Sequence, residues 1–144
     1  MIYYEVQKEL HNKSLLKIIS GLNNFDIESV QMIAQAAATG GADLIDMACE
    51  PLLVEKVLDI VSLPICVSAV EPKLFIDSVK AGATFIEIGN FDSFYEKGIN
   101  FSANQVLSLT KATKDLLPNI PLSVTVPHTL SLDKQVDLAL QLIK

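Results

Sequence analysis

The sequence predicts an α/β fold of the (β/α) TIM-barrel type, with parallel strands and an incomplete barrel of about five βα units. Three observations lead there. Short β-rich runs alternate with helix-period segments along the whole chain. Glycine, proline and capping residues stand at the junctions. Strand positions of one parity are apolar, while those of the other are small or polar on every strand.

The elements follow in order. Residues 1–15 form an N-terminal lead whose stretch Tyr3 to Leu10 is amphipathic. Strands are expected at 16–22, 42–48, 64–70, 84–90 and 121–126, and helices at 26–39, 51–61, 72–81, 102–117 and 131–143. Asn24 or Asp26, Ser102 and Ser131 are expected N-caps, because a short polar side chain there accepts from an orphan helical N–H. Pro51 and Pro72 stand where a first helical turn accepts proline, and Gly40-Gly41 and Gly82 stand where helices end. The pattern echoes itself. Gly41-Ala-Asp-Leu-Ile-Asp-Met-Ala48 returns 41 residues later as Gly82-Ala-Thr-Phe-Ile-Glu-Ile-Gly89. Leu63-Pro-Ile-Cys-Val-Ser68 returns after 57 residues as Ile120-Pro-Leu-Ser-Val-Thr125.

Strand parity selects the barrel. Ile18, Ile45, Met47, Ile65, Val67, Ile86, Ile88, Leu122, Val124 and Val126 share one face and suit burial beneath helices. Lys17, Asp46, Ala48, Cys66, Ser68, Glu87, Gly89, Ser123 and Thr125 share the other. A doubly wound sheet is covered by helices on both faces and should read apolar on both. A barrel encloses one face, whose upper layer turns polar where a site opens. A complete barrel takes eight units and about 250 residues. The 144 residues here read as one partial domain, 1–144, ending within the fifth helix. Its first and fifth strands are then open edges, a route to self-association.

Composition narrows the function. Eleven lysines, no arginine and 17 acidic residues give a net charge of −6, which excludes a phosphate-neutralising nucleic-acid surface. No run of apolar residues is long enough to span a membrane, and the N-terminus lacks a signal-type apolar region. Cys49 and Cys66 are too few for a disulfide framework and lack metal-ligand spacing. Neither G-x-G-x-x-G nor G-x-x-x-x-G-K-[ST] occurs, so no cofactor and no metal are expected.

Barrel sites lie at the carboxyl ends of strands. That rule selects Lys17, Ser20 and Asn23 around the first strand, and Asp46 and Glu50 around the second. It adds Ser68 and Glu71, then Glu87, Asn90 and Asp92, and finally Thr125 and His128. Asp46 and Glu87 hold equivalent places in the echo, and two carboxylates in a partly dry site separate into an acid and a base. Lys17 on the same face is expected to contact an anion or neutralise a carboxylate; a structural Lys–Asp–Glu layer is the alternative. His128 is a candidate proton shuttle near neutral pH, and Ser20, Asn23, Ser68, Asn90 and Thr125 are candidate substrate-binding wall groups. The ten residues from Gly89 to Gly98 read as an aromatic-rich loop, either a lid or a plug over the barrel mouth.

These motifs carry a family resemblance. Ser20-Gly-Leu-Asn-Asn-Phe-Asp26, Gly40-Gly-Ala-Asp-Leu-Ile-Asp46, Leu63-Pro-Ile-Cys-Val-Ser68 and Glu71-Pro72 resemble the hypothetical chloroplast reading frame 23 family. So do Ile86-Glu-Ile-Gly-Asn-Phe-Asp-Ser-Phe-Tyr95 and Leu122-Ser-Val-Thr-Val-Pro-His128. The resemblance implies an aldolase-type barrel, loosely related to ribulose-phosphate-binding barrels, of red-algal plastids and cyanobacteria. It implies the plastid stroma as location, with the cyanobacterial cytoplasm as alternative, and members that continue for roughly another hundred residues. It implies no reaction.

The expected function is therefore binding of a small anionic, phosphorylated metabolite at the strand ends, with lyase or isomerase proton transfer in the full-length form. Lys17 would contact the anion, and Asp46 and Glu87 would handle protons. A non-catalytic ligand-binding or regulatory module, and a half-barrel that pairs with a partner, stand as alternatives.

Overall fold

A computed structural model describes residues 2–144, with side chains from residue 4 onward. Helix α1 (Ile2–Asn12) leads into five alternating units. These are β1 (Lys17–Ile19) and α2 (Ile27–Thr39), then β2 (Leu44–Ala48) and α3 (Pro51–Leu58), then β3 (Ile65–Ala69) and α4 (Leu74–Lys80). After β4 (Phe85–Ile88) come a short α5 (Asp92–Tyr95) and the long α6 (Ala103–Leu116); β5 (Leu122–Val124) and α7 (Leu132–Leu142) complete the chain.

Local chemistry sets most boundaries. Asp26 caps α2, its carboxylate accepting from Ser29 N–H at 2.7 Å. Pro51 opens α3 directly behind Glu50, where the missing N–H costs nothing. Ser102 and Gln105 form a reciprocal capping box at the start of α6. Asn24, the other expected cap of α2, instead donates to Ser20 O and Ser29 Oγ. Three expectations shift. Pro72 lies in the turn before α4, which starts only at Leu74. Ser131 occupies the N-cap position of α7 without a side-chain cap bond. The segment read as an irregular loop after β4 folds a turn of helix, α5, because Phe91, buried, packs on Phe101 with ring centres 4.7 Å apart.

All five strands are parallel and lie in sequence order, β1-β2-β3-β4-β5, which is the order of barrel staves. The pairing Ile45↔Ile65, Val67↔Ile86 and Ile86↔Leu122 keeps like parities side by side. Ile45, Met47, Ile65, Val67, Ile86 and Ile88 are fully buried beneath the helices, against Val30, Leu53, Val54, Phe75 and Val106. Each such side chain contributes about 1.5–3 kcal/mol of apolar burial. The opposite face divides by height. Its lower part is apolar, with Leu44, Cys66 and Phe85 meeting Val6 of α1, so that α1 closes the amino end of the sheet. Its upper part is polar. Ala48, expected among the small polar-face residues, is buried with the main apolar cluster. Strands β1 and β5 each have one neighbour, leaving two open edges.

Candidate functional site

The upper inner face gathers residues from every strand. Lys17 projects from β1, and its ammonium donates to Asp46 Oδ2 of β2 at 3.0 Å and to Glu87 Oε2 of β4. Ser68 of β3 donates to the other Asp46 oxygen at 2.6 Å. Asn90, just past β4, donates to Ser68 Oγ at 3.0 Å and to Asp46 Oδ2 at 3.4 Å. Thr125, just past β5, donates to Glu87 Oε1 at 2.9 Å. Asp46 and Ser68 are buried in the sheet centre, Glu87 nearly so, while the Lys17 side chain keeps a quarter of its surface exposed. Every polar group in this layer has a partner, as burial requires.

Two backbone features fix the layer. Gly89 follows Glu87 by two positions, and a Cβ there would run into both Glu87 Oε1 and Thr125 Oγ1. Only glycine lets the β4 backbone pass that close to the carboxylate. Asn90 then takes a left-handed conformation, φ 57°, which asparagine tolerates better than most residues.

One ammonium thus serves two carboxylates, and the trio carries a net charge of −1 when all three groups are ionised. Burial alone would lower the proton affinity of Lys17. The Glu87 hydrogen bond and the charges of Asp46 and Glu87 outweigh it and hold the ammonium well above its ordinary range. Asp46 moves up from the usual carboxylate value because burial outweighs the Ser68 hydrogen bond and the Lys17 charge. The charge on Lys17 is therefore spent inside the layer rather than offered to an external anion. Asp46, Cys66 and Glu87 bring ligand atoms within 4.8 Å of one another, the one such group among the described residues. The Lys17 ammonium already fills the cation position between the carboxylates, and burial holds the Cys66 thiol far above its ordinary value, away from the thiolate a metal needs.

Two cavities border the layer. One of about 170 Å³ lies at the strand mouths, lined by Leu22, Asn23, Phe25, Ser68, Glu71 and Phe94 among others. A larger one of about 480 Å³ opens on the inner face beside Lys17 and Glu87, between α1 and β5. Of the candidates read from the sequence, Lys17, Asp46, Ser68, Glu87, Asn90 and Thr125 come together. The Ser20 hydroxyl donates to the backbone carbonyl of Asp46, at 3.3 Å, rather than to a carboxylate, and Asn23 stands exposed at the upper cavity rim. His128 stands apart. Its ring lies edge-on to Tyr95 at 5.0 Å, its Nδ1 is 3.5 Å from exposed Asp92, and it joins the α5 turn rather than the carboxylates. Cys66, not among the site candidates, lies against the carboxylate pair; its shared parity with Asp46 and Glu87 was the signal for that.

This geometry defines a class: a parallel (β/α)-barrel wall with a polar layer at the carboxyl end of its inner face. The chain belongs to the family described as protein of unknown function, DUF561, whose pattern matches residues 2–144. It is 52% identical over 139 residues to the uncharacterized protein ycf23 of Cyanophora paradoxa, covering 96% of this chain and 57% of that protein. It is 40% identical over 130 residues to ycf23 of Antithamnion sp., covering 90% and 47%. The chain thus spans about half the length of these relatives. In structure it resembles dihydropteroate synthase from Xanthomonas albilineans in complex with 7,8-dihydropteroate. The TM-score is 0.58 at 19% identity, over 90% of this chain and 50% of the synthase, a likeness of TIM-barrel fold alone. Among the described residues no helix is long and apolar enough to cross a membrane.

Proposed function

We propose that the layer of Lys17, Asp46 and Glu87 is the proton-handling end of a small-metabolite site, in a plastid stromal barrel of the lyase or isomerase type. The observation that carries this reading is two buried carboxylates meeting one lysine ammonium at the mouth of the strands, with burial raising Asp46 above the usual carboxylate value. A carboxyl whose proton affinity is raised is better matched to proton transfer than an ordinary aspartate. The Lys17 ammonium uses two of its three N–H donors on Asp46 and Glu87, and the third can meet negative charge that develops on a ligand oxygen beside it. Because that ammonium is already engaged, an anionic substituent needs a separate anchor. In barrels the phosphate cradle follows strands seven and eight, which the length of the relatives leaves room for. The stromal assignment rests on the relatives' name, which is that of a hypothetical chloroplast reading frame.

The test uses a panel of triose, pentose and keto-acid phosphates with the Cyanophora-length relative and with this chain, read by thermal shift and by deuterium wash-in from D2O. Expected are stabilisation by at least one compound and solvent exchange of a carbon-bound hydrogen, lost in Asp46→Asn. Stabilisation without exchange would favour a binding-only module, a reading supported by the engagement of Lys17 with both carboxylates. No stabilisation, together with an Asp46→Asn variant more stable than the parent, would make the layer purely structural.

A further inference from the structure

The cavity of about 170 Å³ at the strand mouths is lined by the first four units, and none of its lining lies beyond α5. Its wall is mostly apolar. Leu22 and Phe25 come from the β1–α2 loop, Ala69 and Val70 from the end of β3, Leu74 from α4 and Phe94 from α5. The Phe94 ring is held edge-on by Phe101, with ring centres 5.6 Å apart, so this part of the wall is set in advance. Two polar features matter. Ser68, buried, is the group that donates to Asp46 at 2.6 Å, so the cavity lies one hydrogen bond from the carboxylate layer. Glu71 is exposed on the lining, and among the described residues its carboxylate has no ion-pair or hydrogen-bond partner, unlike Asp46 and Glu87. No lysine or histidine lines the cavity, and the Cys49 thiol there stays neutral, because burial pushes it up to about 11.

We infer that this cavity takes the ring of a nitrogen-bearing aromatic compound, which packs on Phe25 and Phe94 and donates its N–H groups to Glu71. Size, wall and charge agree on that class. An apolar cavity of about 150 Å³ takes up benzene, so the space here holds one aromatic ring. Apolar walls favour a ring face over sugar hydroxyls, which would lose water without gaining partners. A lone carboxylate with no cation beside it attracts N–H donors and repels a carboxylate or phosphate of the same size. A substituent on a seated ring lies beside Ser68, within reach of the Asp46 layer. The inference names the ligand class of the metabolite site proposed above and rests on that reading; a phosphate on such a compound would lie outside this cavity.

The test titrates 2-aminopyridine, benzoate and ribose 5-phosphate separately into the chain, followed by methyl NMR of Leu22, Ala69 and Leu74. Expected are saturable shifts with 2-aminopyridine at a Kd of about 5 mM or below. Benzoate should bind at least about tenfold more weakly. Glu71→Gln should weaken 2-aminopyridine about tenfold and narrow its lead over benzoate. Phe94→Ala should weaken both ring compounds at least about threefold. Backbone amide spectra that match the parent away from the strand mouths show that both variants fold. No shift of these methyls by 2-aminopyridine, or equal binding of benzoate, would overturn the inference. Shifts from ribose 5-phosphate alone would also overturn it and leave the metabolite reading standing. Ring binding at the mouth without solvent exchange in any compound supports the inference and counts only against proton transfer in the layer.

Discussion

At Asp46 a carboxylate sits with no exposed surface, and its proton affinity is raised chiefly by that burial. Raised affinity in the folded chain means that protonation favours folding. The contribution is present in full below the ordinary carboxylate value of 3.8 and is lost as pH rises through the raised folded value. Asp46→Asn keeps the acceptor for Ser68 and removes the buried charge. We expect melting temperature plotted against pH to be flatter for the variant as pH rises above 3.8, with equal or higher stability at pH 7.5. A parallel pair of curves would refute the assignment. Lys17 acts in the opposite sense. Lys17→Met leaves two carboxylates without a cation and should cost about 3 kcal/mol in urea unfolding at pH 7.5. Much of that loss should return at pH 4, where Asp46, whose proton affinity is raised, can take a proton. A loss that does not change with pH would mean Lys17 matters only for its packing.

The elements differ in how their ends are tied, and stability should follow the difference. Ser102 is half of a capping box, with Gln105 Oε1 accepting from its N–H at 2.8 Å, whereas Ser131 makes no cap bond. Ser102→Ala should therefore cost about 1 kcal/mol and Ser131→Ala only a few tenths, read by chemical denaturation. Equal losses would refute the distinction. Between β4 and α5, Gly89→Ala drives a methyl into Glu87 and Thr125, at an expected cost of about 1–3 kcal/mol. Unchanged stability would show that the layer gives way easily. Element type was legible in the sequence because apolar residues at period 2 and period 3.6 are consequences of burial, and Ile45, Val67 and Ile86 are buried as their parity required. Pro72 was not placed correctly, because proline suits a turn as well as a first helical turn. Helix α5 was hidden, since four residues carry no period and its ordering comes from the distant ring of Phe101.

For the whole molecule, much of the candidate site was legible from face alone. Alternation put Lys17, Asp46, Ser68, Glu87 and Thr125 on one side of a sheet, and the echo singled out Asp46 and Glu87 as equivalent positions. Alternation does not say how a loop turns back. That is why His128 read as a companion of the carboxylates and lies instead against Tyr95 and Asp92. Nor could sequence show that Lys17 would be claimed by both acids, since that depends on the stagger pairing Lys17 with Leu44 and Glu87 with Ser68.

The strict β1-to-β5 order of the sheet has a consequence for how the chain is made. Each strand pairs with the one synthesised just before it, so no stave must wait for a later one to find its neighbour. A chain leaving the ribosome can add one βα unit at a time to the growing wall, closing a crossover of 15 to 33 residues at each step. Assembly is thus vectorial, and the last staves would arrive at a surface that the first have already built.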